Sequence, residues 1–158
     1  MYFQPASHRL LLLLFTETLI RHTLALGINC RGSLICDTMS RRGLVTRLGD
    51  MMRDGLDLSC IYPNGQHIAC ASTGSGTRGV CAFLQGTAAG LKGDEVLILI
   101  AYLASHDCDN CGSVPIGYPE SNDPSAGILT VNFVHTTDNP CPGGICFKCN
   151  AQQNVITA

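Results

Sequence analysis

Two segments of the chain carry hydrophobic residues at the spacing of a helix that is buried on one side. The first covers residues 37–53, and its apolar face is formed by Leu44, Val45, Leu48, Met51 and Met52. The second begins at residues 93–95, where two acidic residues suit the positive end of a helix dipole. The residues that follow, 96–104, are nearly all apolar, which predicts a helix packed against a sheet.

Shorter segments have the composition or the alternation that is typical of β-strands. They cover residues 26–30, 67–72, 79–85, 112–116 and 128–134. The last is the clearest, because Leu129, Val131 and Phe133 alternate with polar residues, as in a half-buried strand. Residue types indicate a turn over 62–65, a hairpin loop over 73–78 and a longer loop over 117–127. Strands interspersed with two helices predict a single α+β domain.

The two ends of the chain differ from this central part. An apolar run over 10–15, with small residues at Thr23 and Ala25, resembles a secretory signal cleaved after residue 25. Glu17 and Arg21 interrupt the apolar stretch, so a buried N-terminal helix is the alternative. Residues 135–158 hold prolines, glycines and three cysteines without periodicity, which predicts an irregular tail held by disulfides. The predicted units are a signal peptide over 1–25, a domain over 26–134 and this tail.

Charge excludes one class of partner. The whole chain has a net charge of −2, and removal of residues 1–25 leaves eight basic and eleven acidic residues, a net charge of −3. A protein that binds nucleic acid non-specifically needs an excess of positive charge. We therefore expect no nucleic-acid partner.

Cysteine content points to an oxidising compartment. The ten cysteines are Cys30, Cys36, Cys60, Cys70, Cys81, Cys108, Cys111, Cys141, Cys146 and Cys149. An even number in a short, secreted chain predicts a disulfide framework, in which each bridge contributes about 2–4 kcal/mol. Two CxxC pairs, at 108/111 and 146/149, are compatible with a zinc or redox site. Exported thiols oxidise, so the prediction is disulfides, with no metal and no cofactor.

No group of residues has the pattern of a catalytic site. His67, His106 and His135 stand apart from any serine or cysteine nucleophile motif. Asp107 and Asp109 flank Cys108, where a solvated turn explains them as well as acid–base chemistry does. We expect a protein that acts by binding rather than as an enzyme.

Three blocks of sequence carry a family resemblance. Residues 26–33, Leu-Gly-Ile-Asn-Cys-Arg-Gly-Ser, are followed by Cys36. Residues 108–115 read Cys-x-x-Cys-Gly-Ser-x-Pro, and residues 127–134 read Gly-Ile-Leu-Thr-Val-Asn-Phe-Val. In this order, the blocks resemble the mature start, the segment after the second helix and the last strand of the smut-type fungal killer toxins (killer protein four).

The resemblance implies a fold and a function. The fold is an α/β-sandwich with one antiparallel sheet and two antiparallel helices on one face. Family members are secreted and inhibit the growth of competing fungi, and some act on plant cells. The implied partner is a membrane protein of a target cell, a voltage-gated calcium channel in the founding toxin, bound by a monomer. The resemblance also implies the pairs Cys30–Cys108 and Cys36–Cys111, and it leaves the pairing of the other six cysteines open.

The chain departs from the family where binding is expected. In the founding toxin the loop before the equivalent of Cys70 is rich in arginine and lysine, whereas residues 64–69 here carry no formal positive charge. Cys81 also has no clear counterpart, and the tail that bears Cys146 and Cys149 is additional. The candidate target-binding residues are therefore the remaining arginines, Arg31, Arg41, Arg42, Arg47, Arg53 and Arg78. The alternative for these arginines is a solvated helix face with Asp50 and Asp54, and the alternative function is a non-toxic protein of the cell wall.

Overall fold

The fold is described here from a computed structural model. The structure describes residues 27–72, 78–135, 141 and 144–146. The predicted signal peptide, residues 1–25, lies outside the described residues and stays a prediction. Most of the predicted tail also lies outside them.

A four-stranded antiparallel sheet forms one layer of the molecule. Its spatial order is β2-β3-β6-β5, with β2 at His67–Ser72, β3 at Gly79–Gln85, β5 at Gly112–Pro115 and β6 at Ile128–Val134. The bounds of β2, β3 and β6 agree with the sequence prediction. In β6 the alternation of apolar and polar residues marked the strand, whereas β2 and β3 are apolar segments bounded by turn residues. The described part of the predicted strand at 26–30 is only a single bridge between Asn29 and Ser113 beside β5.

A second sheet was not predicted. It has two short antiparallel strands, β1 at Ile61–Tyr62 and β4 at Leu91–Lys92. The prediction of a single sheet is therefore wrong in number, and the predicted turn at 62–65 begins inside β1. A two-residue strand is too short to show any periodicity, which explains why the sequence pattern gave no signal for it.

In the described part of the chain, three α-helices pack beside the sheets, whereas the sequence predicted two. They are α1 at Leu34–Thr38, α2 at Leu44–Gly55 and α3 at Gly93–Ser105. The prediction of one continuous helix over 37–53 is wrong at its start, because residues 39–43 separate α1 from α2. Gly43 lies in this connection with a φ of +70°, a left-handed conformation that interrupts a right-handed helix and favours glycine.

The helices α2 and α3 form the second layer, and they run antiparallel. The start of α2 meets the end of α3, where the Val45 amide donates to the Asp109 carbonyl at 3.0 Å. The end of α2 meets the start of α3, where Gly93 packs against the backbone of Asp57 and Leu58. Both helices contact the four-stranded sheet, and their buried faces supply much of the hydrophobic core. The predicted fold class, α+β with helices on one face of an antiparallel sheet, is confirmed.

Disulfides join the layers. Cys30 is bonded to Cys108 and Cys36 to Cys111, the two pairs that the family resemblance implies, so that the segment before α2 is tied to the end of α3. The other described pairs are Cys70–Cys81, which links opposite residues of β2 and β3, and Cys141–Cys146. Cys60 is also disulfide-bonded.

The described part of the tail is more ordered than its composition predicted. Ile145 forms an antiparallel bridge with Ala69 of β2, and the Cys146 amide donates to the Ile68 carbonyl at 2.8 Å. Ile145 is buried and belongs to the core. Residues 144–146 therefore line the free edge of the sheet, which an isolated apolar residue among prolines and glycines did not indicate. Within the described residues, no helix is long and apolar enough to cross a membrane.

Candidate target-binding surface

Asp109 organises the start of α2 from a different part of the chain. Its Oδ1 accepts a hydrogen bond from the Gly43 amide at 2.6 Å, and its Oδ2 accepts one from the Arg42 guanidinium at 2.9 Å. Its backbone carbonyl accepts the hydrogen bond from the Val45 amide. The N-cap residue of α2 is a glycine without a capping side chain. Asp109 therefore satisfies amides that a helix leaves unpaired at its first turn.

Three arginines lie around this end of α2. Arg41 and Arg42 precede its N-cap residue, Gly43, and Arg47 is the fourth residue of the helix; all three are exposed. We call Arg41, Arg42 and Arg47 the basic end. Asp109 partly neutralises Arg42, whereas Arg41 and Arg47 have no ion-pair partner among the described residues.

The position of the basic end is electrostatically unfavourable for arginine. The amides at a helix N-terminus act as a partial positive charge of about half a unit, and cations near it typically cost about 0.3–1 kcal/mol. The first turn of α2 holds no acidic residue that would offset this effect. The Arg42–Asp109 pair offsets little, because its side chains are 67% and 42% exposed and exposed ion pairs contribute about 1 kcal/mol or less. The dipole of α2 therefore does not explain these arginines.

The other candidate arginines are placed differently. Arg53 pairs with Asp50 on the same helix at 2.8 Å, as expected for a solvated helix face. Arg31 follows Cys30, whose disulfide to Cys108 holds it at the same end of the helix pair as Asp109. Arg78 precedes β3 and belongs to the sheet layer. The structure thus brings Arg31 towards the basic end, and it places Arg53 and Arg78 elsewhere.

The turn that corresponds to the basic loop of the founding toxin has a structural role here. The Asn64 Oδ1 accepts from the Thr87 amide at 3.1 Å, and the Gly65 amide donates to the Leu84 carbonyl at 2.8 Å. The His67 ring packs on Phe83 with centroids 5.8 Å apart, and Ile68 and Ala69 are buried. This neutral turn is anchored to its neighbours and presents no cationic side chain.

The predicted sulfur chemistry is that of disulfides. His67, Cys70 and Cys81 lie close enough to hold a metal, and so do Cys70, Cys141 and Cys146. These sulfurs are bonded in pairs, however, and a disulfide sulfur is not the thiolate that a zinc site needs. Cys108 and Cys111 are bonded to two other cysteines, which also removes them as a CxxC redox pair.

The shifted pKa values have local structural causes and mark no reactive group. Hydrogen bonds from Ser59 lower the pKa of Asp57, and hydrogen bonds from Ser125 lower that of Asp123. Burial raises the pKa of Tyr62, whose hydroxyl accepts a hydrogen bond from the Asp57 amide. Each group stabilises a turn or a strand end.

Comparison with known proteins places the chain in a family. The Kp4 family matches residues 13–135, which include every helix and strand described above. The chain belongs to the Kp4 family. It is also similar to the KP4 killer toxin of Ustilago maydis P4 virus, with 32% identity over 123 residues, 78% of this chain and 91% of the relative.

The extent of the family match separates the domain from the tail. The match to the Kp4 family ends at residue 135, so the tail segment that lines β2 lies beyond it. From the sequence, Asp109 is explained as part of a solvated turn or as an acid–base group, and not as a helix cap. The only sequence signal for it is a carboxylate inside the Cys108-x-x-Cys111 segment, which by itself does not reveal that the loop after α3 caps helix α2. The relative is a killer toxin, and this similarity is the finding that bears on the function of the chain.

Proposed function

We propose that this protein is a secreted killer-toxin-like effector that inhibits the growth of competing fungi or host cells by binding a membrane protein. Membership of the Kp4 family supports the toxin-like character. Secretion is supported by the disulfides of the nine described cysteines, since such bonds persist in oxidising compartments. Binding rather than catalysis is proposed because neither the sequence nor the described pKa shifts single out an acid, base or nucleophile.

The basic end of α2 is the proposed contact surface. The single observation that supports it is the exposure of Arg41 and Arg47, which have no ion-pair partner in the described part of the chain, at the helix end where positive charge is disfavoured. Proteins tolerate such local conflicts mainly at functional sites. Arginine is also among the residue types most enriched at binding hot spots. An acidic patch on the extracellular part of a membrane protein would complement this surface.

A voltage-gated calcium channel fits this proposal as the target. Channel block is attributed to the founding toxin with the aid of a basic loop, and the corresponding residues, 64–69, carry no formal positive charge here. The basic end would then supply the positive charge from a different element of the same fold. Extracellular acidic residues that attract calcium would also attract its arginines, so that calcium and the toxin would compete.

A growth assay with purified, disulfide-intact protein tests the proposed function. Fungal cultures and plant roots are treated with increasing protein concentration, with and without added calcium. We expect dose-dependent inhibition that added calcium relieves. Inhibition that is independent of calcium would contradict the channel as target. Absence of inhibition, together with binding to insoluble wall polysaccharide, would contradict the toxin and support the cell-wall protein instead.

A further inference from the structure

A concave surface lies on the side of α3 that faces away from α2. It is a cavity of about 260 Å³ between α3 and the turn after β5. Helix α3 contributes Glu95, Ile98 and Tyr102, which lie at helical spacing on one face. The turn contributes Ile116, Tyr118 and Glu120. We call these six residues the α3 pocket.

The walls of the α3 pocket are held in place by contacts within the molecule. Tyr102 and Tyr118 pack edge to face with ring centroids 4.8 Å apart, an arrangement that aromatic pairs favour. Backbone hydrogen bonds close the turn, since the Tyr118 amide donates to Pro115 at 3.1 Å and the Ser121 amide to Gly117 at 2.8 Å. The Glu95 carboxylate accepts from the Lys92 amide at 3.0 Å, which fixes its side chain at the start of α3. The pocket is therefore formed before any ligand arrives.

The lining of the α3 pocket combines apolar and aromatic surface with negative charge. Apolar and aromatic surface comes from Ile98, Ile116 and the two tyrosine rings, and Ile98 is 55% exposed although it is a large aliphatic residue. Charge comes from two carboxylates, Glu95 and Glu120, and none of the described residues that line the pocket is basic. A matching ligand needs an apolar stem and a cationic head.

We propose that the α3 pocket binds an arginine side chain of a partner protein. The methylene stem of arginine packs along apolar surface while its head remains polar. The guanidinium is planar, stacks on aromatic rings and donates to carboxylates in a fork. Lysine has a compact and strongly hydrated head, so it gains less from the tyrosines. The cavity volume of about 260 Å³ is smaller than that of pockets for drug-sized ligands, which is typically about 300–1,000 Å³. A site of this size suits a single side chain.

The proposal is tested with small probes, so that its outcome does not depend on toxicity. The ¹⁵N-labelled, disulfide-intact protein is titrated with N-acetyl-arginine amide, N-acetyl-lysine amide and N-acetyl-citrulline amide, and amide chemical shifts are followed by NMR. Citrulline is an uncharged isostere of arginine. We expect saturable shifts at 95–102 and 116–120 with the arginine probe, with a dissociation constant on the order of 1 mM. Binding should be weaker for lysine and absent for citrulline.

Variants assign the binding to the α3 pocket. Glu120→Gln should weaken the arginine probe about three- to fivefold, as expected for an exposed charged contact. Tyr118→Leu should weaken it as well, by removing one ring. Asp54→Asn, a matched loss of charge on an exposed residue of α2, should leave the affinity unchanged. Equal binding of citrulline or lysine, unchanged affinity in Glu120→Gln, or no saturable shift up to 50-fold above the expected dissociation constant would overturn the proposal.

Discussion

The two ends of the α2–α3 helix pair carry opposite charge, and only one of them obeys helix electrostatics. At the first end, Arg41, Arg42 and Arg47 surround the positive N-terminus of α2. At the second end, Asp94 and Glu95 occupy the first turn of α3, where a helix dipole favours acidic residues. Glu95 also accepts a hydrogen bond from the Lys92 amide and so caps its own helix.

The two ends therefore differ in what their charged residues do. Those at the start of α3 stabilise their helix, whereas those at the start of α2 require another explanation. The acids at the start of α3 lower the free energy of the folded state, so helix stability accounts for them independently of the role proposed for Glu95 in the α3 pocket. The arginines at the start of α2 act against its dipole. Asp109, in the loop after α3, satisfies the Gly43 amide with its carboxylate and the Val45 amide with its backbone carbonyl. The predictions below perturb each end, beginning with the largest expected effect.

Removal of both disulfides at the basic end should be strongly non-additive. Cys30–Cys108 and Cys36–Cys111 close nearly the same loop, with sequence separations of 78 and 75 residues. While one pair remains, the other closes only a short loop, so replacing either pair by alanine should cost about 2–3 kcal/mol. Replacing both opens the whole segment and should cost about 7 kcal/mol. Urea unfolding of the three variants measures this, and an additive or smaller cost in the double deletion would contradict it.

Asp109→Ala should lower the free energy of unfolding by about 1–2 kcal/mol, the usual cost of losing a helix cap. Most of the loss should come from the Gly43 amide rather than from the exposed pair with Arg42. Asp109→Asn retains an oxygen acceptor and should lose less than Asp109→Ala. Asp107→Asn, a matched change two residues away on an exposed side chain, is the control and should have little effect. Chemical denaturation measures these free energies. An equal loss for the substitutions at Asp109 and at Asp107 would contradict the role of Asp109 as a helix cap.

Tyr62→Phe, at the second end, should lower the free energy of unfolding by about 1 kcal/mol and weaken the dependence of that free energy on alkaline pH. The tyrosine is 1% exposed, and its hydroxyl accepts from the Asp57 amide just after α2. Burial raises the pKa of Tyr62 above 10.0, so its contribution is complete below pH 10 and is lost as the pH rises through the shifted pKa. The unfolding free energy of the native protein should thus fall above pH 10, and less steeply in Tyr62→Phe. Equal slopes in both proteins would show that another group controls alkaline stability.

Much of the fold could be predicted from the sequence because its longer elements have clear periodicity. Strands β2, β3 and β6 and helix α3 appear where alternation or apolar runs placed them. The break at residues 39–43 was missed because the apolar face begins only at Leu44 and because the one breaker in this segment, Gly43, is an isolated glycine, which helices also tolerate. The strands β1 and β4 were missed because two residues carry no period.

The sequence identified the candidate arginines, but it did not show which of them lie close together in the fold. All six candidate arginines could be read from the sequence, yet proximity depends on tertiary contacts between distant segments. Arg42 meets Asp109 across 67 positions of sequence. Arg53, which lies on the same helix as Arg47, instead pairs with Asp50. The α3 pocket likewise joins a helix to a loop, and no local motif connects the two.

The most direct test of the basic end is the variant Arg41→Ala/Arg47→Ala, compared with Arg53→Ala in the growth assay. Arg42 is left intact because it contacts Asp109. We expect at least about a tenfold loss of potency, as truncation of hot-spot arginines produces, while Arg53→Ala keeps full potency. The double variant should also be as stable as the native protein or more stable, by about 0.3–1 kcal/mol, because two charges that oppose the helix dipole are removed. Full potency in a folded Arg41→Ala/Arg47→Ala protein would contradict the basic end as the contact surface.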